Sequence, residues 1–193
     1  MLWALLLPVE SQATDSGVVK IHAPHDELFS CIEHWDGKFL HVGDALGTDC
    51  VIQQWHKDKD RMFLRPFRNR GYLNIHWFGY GKPVLSPCDC TVEAIHVNPK
   101  TNRPGIMKPG KASTITFKTA DQTRILYAHV DDIVVKPGDV VKAGQAVAKV
   151  GNNGFSRNPH LHIAAWRGET PLQIRFDQKT LQLKSRRQST VRF

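Results

Sequence analysis

The chain has 193 residues, 41% of them hydrophobic, and a formal charge of +8. That length buries one substantial core, with room for a long insertion but hardly for a second domain. A basic balance suits polyanions in general, but there is no zinc-finger spacing and no continuous basic helix, so nucleic acid is set aside as a partner. The first thirteen residues, MLWALLLPVESQA, hold an apolar run from Leu2 to Leu7 followed by the small-x-small pattern Ser11-Gln12-Ala13. The run is too short to span a bilayer as a helix, and no Lys or Arg precedes it. A clipped or atypical export signal, the stub of an anchor and a buried first strand all remain open, with an export-related segment preferred.

Residues 14–176 are expected to form a single domain. GVVKIHA (17–23) reads as a strand, and PHDELFSCIEHW (24–35) as a turn followed by a short helix or irregular segment. In DALGTDCVIQQW (44–55) a Gly-Thr-Asp turn opens an apolar run, which puts Asp49 at the start of a strand. The segment HKDKDRMFLRPFRNRG is crowded with charge and reads as an exposed loop or long hairpin, a charged insertion near 55–72. From residue 81 onward the pattern is all β, punctuated by Gly and Pro. KPVLSPCDCTVEAIHV predicts two short strands around a turn, ASTITFKT alternates with period two, and TRILYAHVDDIVV is a further strand. In KPGDVVKAGQAVAKVG, Gly138 and Gly144 sit in tight turns that bracket short strands. A His-bearing strand and a last strand, TPLQIRF, follow, and 177–193 is a basic, polar tail expected as a strand extension or a disordered arm. Four cysteines, Cys31, Cys50, Cys88 and Cys90, permit two disulfides whose pairing the sequence leaves open. Cys88 and Cys90 form a C-x-C, and with no second pair at finger spacing a cysteine zinc site is the weaker reading.

The segment NNGFSRNPHLHIAAW raises the chemical question. His160 and His162 lie two apart on a strand and therefore point to the same face, where they can converge on one ion or one substrate. With YAHV at 127–130, VKPGDVVKAGQAVAKVGNNGFSRNPHLHI at 135–163 and GKPVLSPCDCTV at 81–92, the chain resembles the lysostaphin/LytM-type zinc metallopeptidases. Many of these cut peptide bonds in bacterial peptidoglycan. Four of that family's five blocks appear in order over residues 81–176. The resemblance implies a mainly β fold of the LytM-like (duplicated hybrid motif) type, an antiparallel β-sheet or split-barrel core with long loops around a metal groove. It also implies His162 as a Zn2+ ligand, with His129 and His160 contacting the attacking water and the substrate carbonyl. A neutral imidazole beside such a site can take or relay a proton near neutral pH.

The remaining block, H-x-x-x-D, is where the chain departs from the family. The stretch before GKPV, RNRGYLNIHWFGYG, has Arg70 and Asn74 at the positions concerned. Treating 55–72 as an insertion moves the ligand pair upstream to FLHVGDALGTDCV, with His41 and Asp49 as ligands beside His162. His34, Asp44, His56 and His76 compete with His41 for the role. Cys90 stands where the family has a turn Gly. Asn158, as a substrate-binding residue, and the 55–72 insertion are expected to help form the groove, since loops at the end of a β scaffold carry substrate contacts.

The function this implies is a secreted or periplasmic zinc endopeptidase, its partner peptidoglycan peptides, acting as a monomer by default and without a stable membrane span. The alternative is a catalytically degenerate LytM-like domain that binds cell wall or regulates a partner hydrolase. A lipoyl-like carrier domain shares the 135–150 turn pattern but needs a lysine in a hairpin motif that this chain lacks.

Overall fold

The structure, a computed structural model, describes residues 17–181. The segment 1–13 and most of the 177–193 tail lie outside the described residues. Fifteen strands succeed one another with no α-helix among the described residues. They are β1 (Val18–Ile21), β2 (Phe29–Glu33), β3 (Thr48–Ile52), β4 (Gln54–Asp58), β5 (Arg61–Arg65), β6 (Pro83–Leu85), β7 (Cys90–His96) and β8 (Thr114–Lys118). Then come β9 (Arg124–Ala128), β10 (Val130–Asp131), β11 (Val140–Val141), β12 (Ala146–Val150), β13 (Leu161–Arg167), β14 (Thr170–Pro171) and β15 (Gln173–Phe176). Short 3-10 turns occupy Asn74–His76 and Gln178–Thr180.

The main sheet is antiparallel, in the order β11-β7-β8-β9-β13-β3-β2, with β14 added to β13. A smaller sheet, β10-β12-β6, lies against it, β1 pairs with β15 in parallel, and β4 with β5 makes a separate hairpin. The fold is the mainly β architecture expected from the pattern. Period-two alternation explains which face goes inward. In β8, Ile115 and Phe117 are buried; in β9, Ile125 and Tyr127; in β3, Cys50 and Ile52. Val84, Val147 and Val150 of the smaller sheet complete the same core. Residues of the opposite parity, including Thr114, Thr116, Leu126, Asp49, Val51 and His162, line a groove of about 910 Å3 on the other face. The hydrophobic effect therefore fixes the register, and the register decides which polar side chains share the groove.

Two expectations need correction. The helix or irregular segment expected after Pro24 is, over Phe29–Glu33, the edge strand β2. Its alternation lets Cys31 pair with Cys50 of β3, and the two cysteines are joined as a disulfide. The second disulfide is Cys88–Cys90. The charged segment forms the expected long hairpin but, contrary to expectation, lines none of the groove, because β4 and β5 pair with each other and not with the main sheet. The expected turns at Gly138 and Gly144 have φ of +92° and +81°, a region open to glycine at little cost.

Candidate metal centre

Three neighbouring strands build the site. Asp49 is the second residue of β3, and His162 is its register partner on β13. The Asp49 Oδ1 lies 2.9 Å from Nδ1 of His162. His162 Nε2 lies 2.9 Å from the carbonyl oxygen of Gly43. Both partners are acceptors, so they fix the ring's orientation and favour a proton on it. Burial works to lower the His162 pKa. The hydrogen bond and charge of Asp49, with Gly43 and Asp44 adding to them, win and raise it. Burial likewise works to raise the Asp49 pKa, and the His162 hydrogen bond with the charges of His160, His162 and His34 holds the carboxyl far below its usual range.

His34 completes the group. It follows β2 directly, and its backbone N–H donates to Gly47 O at 2.7 Å. Its Nδ1 lies 2.9 Å from Asp44 O, and its Nε2 lies 3.4 Å from Asp49 Oδ2. The His34 and His162 rings stack with centroids 5.3 Å apart. One ligand atom from each of His34, Asp49 and His162 lies within 4.8 Å of the others. Two imidazoles and one carboxylate packed that closely fit a borderline cation such as zinc.

His41 stands apart from that group. Its side chain is 78% exposed, and its Nδ1 accepts from Gly43 N–H and lies 3.7 Å from Asp44 Oδ2. The structure thus gathers Asp49 and His162 with His34, one of the competing candidates, and leaves His41 in the turn that precedes β3. Of the other competitors, Asp44 reaches within 3.7 Å of His162 Nε2 but is half exposed, and His56 lies on the hairpin. Strand pairing, which no local spacing announces, is what brings His34 here. Once Cys31 faces Cys50 across antiparallel strands, Asp49 faces Ile32, and His34 is the diagonal neighbour on the same face.

His129 and His160 flank the group. The two rings lie 4.6 Å apart, and His160 Nε2 is 3.6 Å from Asp49 Oδ1. Each donates from Nδ1 to a backbone carbonyl at 2.8 Å, His129 to Asn153 and His160 to Asn158. That pins both rings with Nε2 unprotonated. Burial pushes the His129 pKa down to about 3, and burial also lowers that of His160. His129 occupies a left-handed conformation, φ +64°, at the break between β9 and β10, backbone strain of the kind that collects at functional sites. Asn158 lines the same groove, and its side chain donates only a long 3.4 Å bond to Pro159 O.

The family model "Peptidase family M23" matches residues 75–174, more than half of the chain. The chain belongs to peptidase family M23. The match contains His129, His160 and His162, whereas Asp49 and His34 lie upstream of it. An uncharacterized metalloprotease of Haemophilus influenzae is 32% identical over 82 residues, covering 42% of this chain and 15% of that protein. The peptidoglycan DD-endopeptidase ShyB of Vibrio cholerae is 35% identical over 83 residues, 43% of this chain and 17% of that protein. The aligned part is thus under a fifth of each of these two relatives. Among solved structures, a chain of a SpoIIIAH–SpoIIQ complex is similar with a TM-score of 0.50 at 17% identity, over 79% of this chain and 95% of that one, a likeness of fold alone. The family is one of peptidases, and these two relatives are named as a metalloprotease and a DD-endopeptidase.

Proposed function

We propose that this M23 domain is a zinc-dependent endopeptidase acting on peptidoglycan peptides in the cell envelope or outside the cell, with His34, Asp49 and His162 as the metal-holding residues. The observation that carries the reading is the convergence of those three side chains, within 4.8 Å, in the groove that also presents His129 and His160. Zinc held there would supply a Lewis acid that lowers the proton affinity of water and polarises a carbonyl. The chain's own residues do the rest. His129 and His160, neutral at physiological pH and fixed through Nδ1, present Nε2 to accept a proton from a nucleophile and to hand one to a leaving amine. Either imidazole, once protonated, can also donate to an oxyanion developing in the groove. Asp49 stays ionised throughout and keeps its neighbours oriented. Asn158 offers an amide for substrate at the groove wall.

The substrate class follows the relative named as a peptidoglycan DD-endopeptidase, and an envelope or extracellular location follows the substrate. The test is metal content together with digestion of purified sacculi, with and without chelator. One equivalent of zinc and chelator-sensitive release of muropeptides is the expected result. His34→Ala and His162→Ala are each expected to lower zinc affinity at least tenfold, while His41→Ala leaves it unchanged. Loss of zinc on His41→Ala with retention on His34→Ala would overturn the ligand assignment. The absence of the family's H-x-x-x-D pair at its expected distance before GKPV favours a second reading, a domain that binds wall or a partner hydrolase without cutting. A folded protein that binds sacculi but holds no zinc would establish it.

A further inference from the structure

The β4–β5 hairpin shapes a second cleft of about 390 Å3 that shares no lining residue with the metal groove. Trp55, Phe67 and Phe78 give it apolar walls, and His56, Arg65 and Arg68 give it polar ones. Arg65 donates from Nη2 to Asn69 O at 3.1 Å, its Nη1 is 3.4 Å from His56 Nε2, and its guanidinium lies over the Phe67 ring at 5.7 Å. Arg68 donates from Nη2 to Ile75 O at 3.1 Å. These contacts hold the two guanidiniums while leaving most of their five N–H donors free. Arg124, Arg167 and Arg175 on the body of the domain each pair with a carboxylate. Among the described residues, no carboxylate pairs with Arg65 or Arg68, and no Asp or Glu lines the cleft.

Two planar cations beside aromatic rings, with no acid to neutralise them, suit a planar anion on a short apolar stem. The volume is near the lower end of the ~300–1,000 Å3 typical of ligand pockets, the size of a peptide end rather than of a polymer segment. Position adds to this. Gln54, the first residue of the hairpin, is five residues beyond Asp49, so the two Cα atoms are at most about 18 Å apart. An extended peptide of a few residues bridges that distance.

We propose that this cleft is a subsite for the free C-terminal carboxylate of a peptide whose body extends toward the metal groove. The peptide nature of the ligand rests on the endopeptidase reading above, but the binding step needs neither metal nor catalysis. The test therefore uses the full chain freed of metal. Acetyl-alanyl-alanine with a free carboxylate, its C-terminal amide, and inorganic phosphate are titrated while the Trp55 indole and His56 ring signals are followed by NMR. The free acid is expected to shift both signals and to bind at least tenfold more tightly than the amide. R65Q/R68Q is expected to abolish that preference while leaving the His129 and His160 signals in place. Should the double variant disturb the hairpin, Arg68→Gln alone, which gives up a single backbone contact, is expected to weaken the acid several-fold. Equal binding of acid and amide, shifts confined to the groove histidines, an unaffected Arg68→Gln, or phosphate binding as tightly as the peptide acid would each overturn the proposal. Failure of zinc binding or of wall digestion leaves this outcome untouched, so the two readings fail separately.

Discussion

Gly47 shows how finely the centre is packed. A Cβ there would lie 2.8 Å from Cε1 of His162 and 3.0 Å from the Asp44 carbonyl oxygen. Non-bonded carbons do not approach so closely, so Gly47→Ala must push the His162 ring or the backbone aside. His162 is held at both nitrogens, which leaves it little freedom to move without losing one of them. We expect Gly47→Ala to keep a folded protein but to lower zinc affinity at least tenfold, measured by competition with a chromogenic chelator. Unchanged affinity would mean that the site tolerates displacement of the ring. The five-residue constellation is unevenly visible at this scale. His129, His160 and His162 are legible from their motifs, and Asp49 from its turn. His34 is not, because its partner lies fifteen positions away and no local spacing links the two.

At the scale of the element, β2 is an edge strand attached to the sheet on one side only, and it delivers His34. Its hold on β3 combines five paired positions with the Cys31–Cys50 disulfide. A bridge closing a loop of about twenty residues contributes on the order of 3 kcal/mol in the chain-entropy account. Replacing both cysteines by serine should therefore lower the unfolding free energy by about that amount. It should also loosen His34 relative to Asp49 and weaken zinc binding several-fold. Denaturant unfolding measures the first effect and chelator competition the second. A stability loss without any change in metal affinity would show that strand pairing alone positions His34. The strand itself was misjudged from its sequence because PHDELFSCIEHW mixes charges with apolar residues. Ile32, which alternation would place outward, is 72% exposed on an edge. Only the pairing with β3 makes the alternation of Phe29 and Cys31 meaningful.

At the scale of the whole molecule, buried histidines tie stability to pH. His25 is 1% exposed, its Nδ1 is 3.2 Å from Pro83 O, and burial pushes its pKa down to about 4. Unfolded, it would take up a proton near pH 6.5; folded, it resists until about pH 4. The unfolded state thus binds more protons in that window, and stability falls as pH falls from about 6.5 to 4. The contribution from His25 alone is about 2 kcal/mol between pH 7.5 and pH 5. His129 acts in the same direction, whereas His162, whose pKa is raised, is stabilising at low pH and loses that contribution as pH rises. Comparing wild type with His25→Phe isolates the first term. The difference in unfolding free energy between pH 7.5 and pH 5 should be smaller in the variant by about 2 kcal/mol. An identical pH dependence in both proteins would show that His25 is not the group responsible.

The sequence by itself determined the strand-rich class, the turns at Gly138 and Gly144, and the three motif histidines. These depend on local alternation, on backbone conformations only some residues tolerate, and on short spacings within one strand. Tertiary structure decided that His34, not His41, stands beside Asp49 and His162. The reason is geometric: antiparallel pairing of β2 with β3 fixes which distant residues are diagonal neighbours on one face, whereas His41, nearer in sequence, is carried out to solvent by its turn. The carboxylate cleft has the same origin, since Arg65 and Arg68 meet Phe78 only after the hairpin has folded back beside the following segment.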